Sequence, residues 1–430
     1  MQISLFDGSK PFKIDKPIRL IELFAGYGSQ SLALKYLGVK FKHWKICEWA
    51  VKSIQAYKDL HFGEDNTDYS KGLTKDEIIN YLYKKGISAD YNQPMTLQQI
   101  QRLGEDKVRE IYNNIQATHN LVSVCNVKGE ELEIKDTKDY IYIMTYSFPC
   151  QDLSNAGKGA GMGRDSGTRS GLLWEVERIL KELHEDNKPL PQVLLMENVP
   201  EVIGKKNIQH FAEWVKTLDE LGYHSKWQLL NGKGFGIPQN RNRCFMVSVL
   251  GDYYYEFPQP IKLLTTLYNF VEFNPKYLLN MSKLSKTQQN CVKRLANSEI
   301  SKSIRTSGAS SYDRHLWKIY SVELRQSKSF IKGKSLFMAN ISKTICAHHL
   351  CSYTIDGKAY FDYSPKECFR LMGVKDEDYE KVAENQSNSS LYHLAGDSII
   401  TTVLMAIFGQ MVCKDYKNYL WEIKNESSND

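Results

Sequence analysis

The sequence predicts an α/β protein with an open, mostly parallel sheet, a helical insertion and a second, smaller domain. Three observations support this class. Apolar runs alternate with helical patterns through most of residues 1–250, a polar stretch with helical spacing interrupts them at about 66–120, and a basic stretch without the alternation follows residue 250. A chain of 430 residues can bury two separate cores.

The N-terminal elements set the pattern. The apolar run Ile18–Phe24 follows Pro17 and is interpreted as a buried strand. A glycine turn leads into a helix that ends near Gly38, and the run Phe41–Trp49 with the stretch Ala50–Leu60 repeats strand and helix. This βαβα order is the usual beginning of an open parallel sheet.

The later elements continue this pattern after the insertion, which we expect to be a surface elaboration. Strands are predicted at Tyr140–Phe148, Gln192–Val199 and Arg243–Leu250, and helices at Ser170–Asp186, Phe211–Tyr223 and Gly396–Val412. The last helix is apolar over so wide a face that it should pack on the first domain. The predicted domains are 1–250 with 390–430, and 251–389.

Composition limits the location of the protein. A hydrophobic fraction of 42% and a charged fraction of 25% are typical of globular proteins. We find no apolar run of membrane-spanning length and no signal-peptide pattern in the polar N-terminus. The nine cysteines show no paired spacing, which favours reduced thiols and a cytoplasmic protein.

Charge is distributed unevenly along the chain. Residues 251–350 contain 15 Lys and Arg against 6 Asp and Glu, a net charge of +9, whereas the rest of the chain carries −3. A basic block of this kind favours a polyanionic partner such as nucleic acid. The alternative is a solvated, lysine-rich surface.

A glycine turn after the first strand is the first candidate site. Gly26 and Gly28 allow a tight turn and close approach of a ligand, although Ser31 replaces the third glycine of a dinucleotide fingerprint. Glu48, about 20 residues further on, could bind ribose hydroxyls, and Trp49 could stack on adenine. Together they favour an adenosine-type cofactor over a plain turn and a core tryptophan.

Cys150 ends the strand in "YSFPCQ" and precedes a glycine-rich loop. Alone it would most often be a small buried residue, but a strand end beneath a flexible loop suits a nucleophile under a lid. Glu197 and Asn198 end another apolar strand, where a carboxylate is either functional or caps a neighbouring helix.

Alternating polar residues in "GIPQNRNR" form a third candidate group. Gln239, Arg241 and Arg243 share one face if the segment is extended, so that the arginines could clamp a planar acceptor or a phosphate. The alternative is a solvent-facing edge strand. The stretch Cys346–Cys351 ("CAHHLC") lacks a second Cys/His pair, so no metal site is predicted.

The chain resembles the DNA (cytosine-5)-methyltransferases of bacteria and phages, especially the restriction-modification type. Six stretches carry the resemblance in order: "FAGYGS", "PCQDLS", "ENV", "QNRNR", "SPKECFRLMG" and "AGDSI". They span the chain from Ile18 to Gly409. The resemblance implies a Rossmann-like S-adenosylmethionine-dependent methyltransferase fold, with a target-recognition domain that coincides with the basic block.

The resemblance also implies roles for individual residues. Cys150 would be the nucleophile, Glu197 would engage the cytosine ring nitrogen and Asn198 would support them. Arg241 and Arg243 would lie near the catalytic pocket, with Arg243 at the base carbonyl. The implied cofactor-binding residues are Phe24, Ala25, Gly26, Gly28, Ser29, Glu48, Trp49, Ser123, Pro149, Gly396, Asp397 and Ser398. The implied DNA-binding residues are Gln151, Ser154, Arg164, Arg169 and Gln239.

Three positions depart from the family pattern. Asp397 stands where the last motif usually carries Asn, Ser123 replaces the usual acidic residue of the third motif, and Phe361 replaces an arginine before "SPKEC". These changes bear on cofactor binding and on the bracing of the recognition domain. None of them affects the catalytic residues.

The resemblance implies an enzyme that flips cytosine out of a specific duplex sequence and methylates carbon 5 through a covalent cysteine adduct. S-adenosylmethionine would be the donor and S-adenosylhomocysteine the product. We expect a cytoplasmic monomer that binds double-stranded DNA and protects it from a separately acting restriction endonuclease, with no membrane contact. The alternatives are an RNA cytosine-5 methyltransferase and a DNA-binding protein without catalysis. The long basic region favours DNA, and intact Cys150, Glu197 and Arg243 favour catalysis.

Overall fold

The structure is a computed structural model that describes residues 9–149, 162–164, 169–280, 319–322, 337–347, 352–354 and 359–420, with single positions at 282, 286, 289 and 290. Its strands are β1 (Lys10–Pro11), β2 (Ile18–Leu23), β3 (Phe41–Cys47), β4 (Ile141–Tyr146), β5 (Val193–Asn198), β6 (Tyr223–Asn231), β7 (Asn242–Leu250), β8 (Tyr253–Tyr254), β9 (Tyr320–Val322), β10 (Phe337–Ala339), β11 (Ser352–Thr354) and β12 (Phe361–Asp362).

The helices alternate with these strands in the large domain and follow them at the C-terminus. They are α1 (Ser29–Tyr36), α2 (Val51–Phe62), α3 (Lys75–Lys85), α4 (Leu97–Gln101), α5 (Glu105–Ala117), α6 (Leu173–Glu185), α7 (Ile208–Glu220), α8 (Pro365–Arg370), α9 (Asp376–Ala383), α10 (Asn388–Asp397) and α11 (Thr401–Val412). Short 3₁₀ turns lie between them, including Arg169–Leu172 before α6.

A six-stranded sheet of order β3-β2-β4-β5-β7-β6 forms the centre of the large domain. Strands β3, β2, β4 and β5 run parallel, and β7 runs antiparallel to both of its neighbours. The carboxyl ends of four parallel strands therefore meet at one edge, where open α/β sheets bind their ligands. The predicted α/β class with a mostly parallel sheet is confirmed.

Both faces of the sheet are covered by helices. Ile143 and Leu195 pack in the same core cluster as α1 and α11, whereas their neighbours Met144 and Met196 pack with α6 and α7. Successive side chains of a strand point to opposite faces, so strands covered on both sides read as continuous apolar runs. This is why β2, β4 and β5 were predictable from apolar runs alone.

The predicted helical insertion is present as α3, α4 and α5. It has its own core cluster, which includes Ile54 of α2 and so fixes the insertion to the large domain. Thr74 and Thr96 begin α3 and α4 with reciprocal capping boxes. Gly104 separates α4 from α5, so the long helical pattern predicted there forms two helices.

The described strands of the small domain form an antiparallel sheet of order β10-β9-β11-β12. Helices α8 and α9, however, contact the large domain: Phe369 stacks on Tyr27 with ring centroids 5.3 Å apart, and Asp378 accepts bonds of 2.8 Å from Lys35 Nζ and Tyr36 Oη. Both helices therefore pack on the large domain, and the boundary at 389 stays a prediction.

Two further elements differ from prediction. Strand β6 was not predicted, because it pairs only with β7 at the sheet edge and alternates buried with partly exposed residues. The predicted C-terminal apolar helix is interrupted at Ser398–Ile400, between α10 and α11. Helix α11 packs against α1, as expected for its wide apolar face.

The segment Asn388–Val412 is long and apolar enough to meet the length and composition criteria of a membrane span. However, 78% of its most apolar window is buried inside the protein. This burial is what the core helices of a folded domain show.

Candidate active site

A cavity of about 410 Å³ opens at the carboxyl ends of the parallel strands. It is lined by every predicted cofactor-binding residue except Gly28, and by Glu197, Asn198, Arg241 and Arg243. Residues from the β2–α1 turn, the ends of β3, β4 and β5, the start of β7 and the end of α10 thus share one space. Described members of the two predicted residue groups, for cofactor and for catalysis, therefore line a single cavity.

The two glycines of the turn between β2 and α1 serve different purposes. Phe24, Gly26 and Gly28 have positive φ angles of 59°, 57° and 82°. A side chain at Gly28 would collide with His61 and Tyr57 of α2, whereas no atom lies within 4 Å of a methyl group placed on Gly26. Gly28 is thus needed for packing, and Gly26 leaves the cavity open beside the backbone.

Glu48 connects this turn to the end of β3. Its buried carboxylate accepts hydrogen bonds from the backbone N–H groups of Gly26 (2.9 Å) and Ala50 (2.8 Å). Burial raises the pKa of Glu48 to about 7, against the effect of these bonds. Asn120 bonds both the N–H and the carbonyl of Glu48, a contact that the sequence did not predict.

A buried polar network lies beneath the glycine turn. Ser31 donates to Glu22 through its N–H and its hydroxyl, and Tyr57 donates to the same carboxylate. Burial raises the pKa of Glu22 to about 7 and lowers that of His43, which lies 2.9 Å from Tyr57 Oη, to about 4. The network explains why Ser31 replaces a third glycine.

Glu197 and Arg243 lie next to each other in the cavity wall. They are brought together because β5 and β7 are antiparallel neighbours, and Arg243 Nε lies 3.2 Å from Glu197 Oε1. The side chains are only 10% (Glu197) and 16% (Arg243) exposed. Burial raises the pKa of Glu197, while the positive charges of Arg243 and Arg241 act to lower it.

Asn198 fixes the backbone that leads to Cys150. Its amide donates to the carbonyl of Phe148 (2.9 Å) and accepts from the N–H of Val199 (2.8 Å). Ser170 donates to the carbonyl of Pro149 (2.8 Å), so the residues before Cys150 are held from two sides. Three predicted site residues lie outside the described part of the chain: Cys150, Gln151 and Ser154.

Arg241 lines the cavity and is held by carbonyl groups of other segments. It is buried, and its guanidinium donates to the carbonyls of Ile345 (2.7 Å), Gly396 (2.8 Å) and Ser398 (2.7 Å). It thereby joins the small domain to the break between α10 and α11. These bonds allow Arg241 to position the cavity wall, and its catalytic role stays a prediction.

Gln239, predicted to contact DNA, is buried in this structure, and that contact stays a prediction. Its side chain has no exposed surface; the amide donates to the Leu371 carbonyl (2.7 Å) and accepts from the Ile345 N–H (3.0 Å). Arg164 is exposed, but it forms a bidentate ion pair with Glu177 and lies over the Trp174 ring at 3.9 Å.

The remaining predicted residues are only partly placed. Arg169 begins the 3₁₀ turn before α6, and its side chain lies outside the described part of the structure. For "CAHHLC", only Cys346 and Ala347 fall within the described residues. Among the residues that the structure describes, no group of three or more His, Cys, Asp or Glu could hold a metal ion.

Comparison with known proteins identifies the family of the chain. The family described as C-5 cytosine-specific DNA methylase matches residues 99–413, most of the chain. The chain belongs to this family. Type II methyltransferase M2.ScrFI of Lactococcus lactis subsp. cremoris is 31% identical over 92% of this chain and 99% of the relative. Orphan methyltransferase M.SssI of Spiroplasma monobiae is 34% identical over 64% of this chain and 72% of the relative.

The fold has solved counterparts. The methyltransferase EhMeth of Entamoeba histolytica matches 95% of this chain and 99% of its own chain, with a TM-score of 0.51 at 14% identity. The predicted methyltransferase fold is confirmed by this match and by the central sheet. Family membership makes the chain a DNA cytosine-5 methyltransferase, as the motifs predicted.

Proposed function

We propose that this methyltransferase uses S-adenosylmethionine to methylate carbon 5 of a cytosine flipped out of duplex DNA, through a covalent adduct with Cys150. One observation carries the proposal. A single cavity contains Glu48 and Trp49, which suit an adenosine, and the Glu197–Arg243 pair, which suits a pyrimidine edge. Donor and acceptor can thus meet without an intermediate carrier.

The cavity residues fit S-adenosylmethionine. The open space beside Gly26 admits a ligand against the backbone, and each Glu48 oxygen that accepts a backbone N–H retains a lone pair for a ribose hydroxyl. Trp49 supplies an aromatic face for adenine. When bound, this cofactor supplies an electrophilic methyl group on a sulfonium centre.

Cys150 follows Pro149, which lines the cavity, so its thiolate is assigned the attack on carbon 6 of cytosine. The new C–S bond moves the ring electron pair to carbon 5, which then takes the methyl group. Glu197, whose pKa is raised by burial, gives its proton to the ring nitrogen as the adduct forms and takes it back on elimination, and Arg243 donates a hydrogen bond to the base carbonyl. Loss of the carbon-5 proton to a base returns the electron pair and expels the thiolate.

Duplex DNA is the substrate that the basic block favours. Attack on carbon 6 requires the base to leave the stack, since neither face of a stacked base is accessible. Residues 251–350, with their net charge of +9, would supply phosphate contacts and sequence readout. The type II relative supports protection of DNA against a separate restriction endonuclease, in the cytoplasm of a bacterial or phage-infected cell.

Methyl transfer from labelled S-adenosylmethionine to matched duplex DNA and RNA tests the substrate class. We expect transfer to DNA and none to RNA; preferential transfer to RNA would overturn the DNA assignment. DNA binding without transfer to either would favour a protein that has lost catalysis. Bisulfite sequencing of DNA from cells that express the protein would then give the target sequence.

A further inference from the structure

The helical insertion reaches the cavity through Tyr91, in the loop between α3 and α4. Tyr91 is half-buried and lines the cavity together with Ser53 of α2 and His393 of α10. Its φ of 63° is uncommon for a bulky side chain, so the surrounding contacts must hold the loop in this shape. The insertion is therefore more than the surface elaboration expected from the sequence.

The loop that carries Tyr91 is fixed to the end of β3. Ser88 donates its N–H to the carbonyl of Trp49 (2.8 Å), and its carbonyl accepts from the N–H of Val51 (2.9 Å). The Asp90 carboxylate accepts from the N–H of Asn92 (2.9 Å) and so closes the turn around Tyr91. The loop that carries Tyr91 is thus hydrogen-bonded directly to Trp49 and Val51, which follow Glu48.

Tyr91 stacks on His393, and the stack joins the insertion to the last motif. The ring centroids are 4.1 Å apart with an interplanar angle of 13°, and Tyr91 Oη lies 3.1 Å from Ser53 Oγ. His393 Nδ1 lies 3.1 Å from Asp397 Oδ2, the carboxylate that replaces the usual Asn. The insertion, α2 and α10 thereby form one wall of the cavity, beside Glu48.

We propose that Tyr91 and His393 form a wall of the cofactor pocket on the adenosine side, so that the insertion is part of cofactor binding. The ligand class is an adenosine that carries a sulfonium or thioether, and the inference rests on the proposed function. Flat rings that are already stacked offer contact area without further ordering. The nearby carboxylates of Glu48 and Asp397 suit the positive charge of a sulfonium ligand.

Isothermal titration calorimetry with S-adenosylhomocysteine tests the wall. We expect Tyr91→Ala to raise the Kd about tenfold, the loss of one aromatic contact surface, and Tyr91→Phe to stay within about threefold. Tyr83→Ala is the matched control, because Tyr83 lies on α3 of the same insertion and is 49% exposed. It should leave the Kd unchanged.

Steady-state kinetics distinguish weaker cofactor binding by Tyr91→Ala from general damage to the structure. With Tyr91→Ala, the KM for S-adenosylmethionine should rise about tenfold while kcat at saturating cofactor stays within about twofold. A fall in kcat with unchanged KM would contradict the proposal. If circular dichroism shows that Tyr91→Ala does not fold, His393→Ala removes the wall from the other side and should weaken binding by a similar factor.

The outcomes for the two proposals differ. If the wild-type protein binds no S-adenosylhomocysteine, the proposed function fails. If the wild type binds it and the folded Tyr91→Ala and His393→Ala variants bind it equally well, only the wall is disproved. In that case the stack would serve packing alone.

Discussion

At the scale of single residues, two opposing influences act on the Glu197 carboxyl group. Burial raises its pKa, and the Arg243 guanidinium 3.2 Å away acts to lower it. The net effect raises the pKa, which favours a carboxyl group that can pass a proton to the ring nitrogen. A carboxyl group in this environment suits a general acid better than an exposed one would.

Glu197→Gln tests the proton at this position. The amide keeps the shape of the side chain but cannot transfer a proton, so we expect kcat for methyl transfer to fall by about 10²–10⁴-fold. The Kd for S-adenosylhomocysteine should stay unchanged. Retention of full kcat would show that Glu197 acts only through hydrogen bonding.

Glu22 should make stability depend on pH. Its folded pKa of about 7 exceeds the value of about 4.3 in an unfolded chain, so the folded state holds a proton that the unfolded state has lost between these values. Stability therefore falls as pH rises through this window. Relative to Glu22→Gln, wild type should lose about 2 kcal/mol of unfolding free energy between pH 5 and pH 8. Urea titrations at both pH values measure the unfolding free energies. An identical pH dependence of wild type and Glu22→Gln would contradict the prediction.

At the scale of elements, Arg241 joins segments that are distant in sequence. Arg241 of the segment before β7 bonds a small-domain carbonyl and two carbonyls at the α10–α11 break. Gly396 reinforces this junction, since a side chain there would collide with the backbone of Cys346 and Ala347. The last motif is thus held closed against the cavity by contacts between elements distant in sequence.

Arg241→Ala should therefore destabilise the fold. Three buried carbonyls would lose a charged donor, and we expect the unfolding free energy to fall by about 3 kcal/mol or more. Arg102→Ala, at an exposed position after α4, is the control and should change it by less than about 0.5 kcal/mol. Thermal unfolding measures both. A small effect of Arg241→Ala would contradict a positioning role.

The elements differ in how far the sequence predicted them. Strands β2, β4 and β5 were predicted to within a few residues, because burial on both faces makes them continuous apolar runs. Strand β6 was missed because an edge strand keeps polar residues on its exposed side. The break in the last helix depends on Arg241, 155 residues from Gly396, which no local pattern reveals.

The residues of the candidate site also differ in how far the sequence predicted them. Glu48, Glu197 and the glycine turn follow apolar strands, so their position at one sheet edge was predictable. Tyr91, Asn120 and His393 were missed, because their contacts join parts of the chain that are distant in sequence. Gln239 and Arg241 were predicted as functional from their alternation, but that pattern equally fits buried hydrogen bonds.

At the scale of the whole molecule, the cavity lies where the large domain, the insertion and the C-terminal helices meet. The sheet supplies Glu48, Glu197 and the backbone before Cys150, and the basic block adjoins it in sequence at residue 251. We propose that this arrangement methylates carbon 5 of cytosine in duplex DNA through Cys150. In this proposal, the cofactor pocket, the pocket for the base and the basic block that binds DNA act together in one reaction.

Mass spectrometry of nucleosides tests this claim most directly. Duplex plasmid DNA is incubated with S-adenosylmethionine and either wild type or Cys150→Ala, then digested to nucleosides. We expect to detect 5-methyl-2′-deoxycytidine with the wild type and none with Cys150→Ala. The variant should still bind S-adenosylhomocysteine. Methylation at another atom, or equal 5-methylation by the variant, would contradict it.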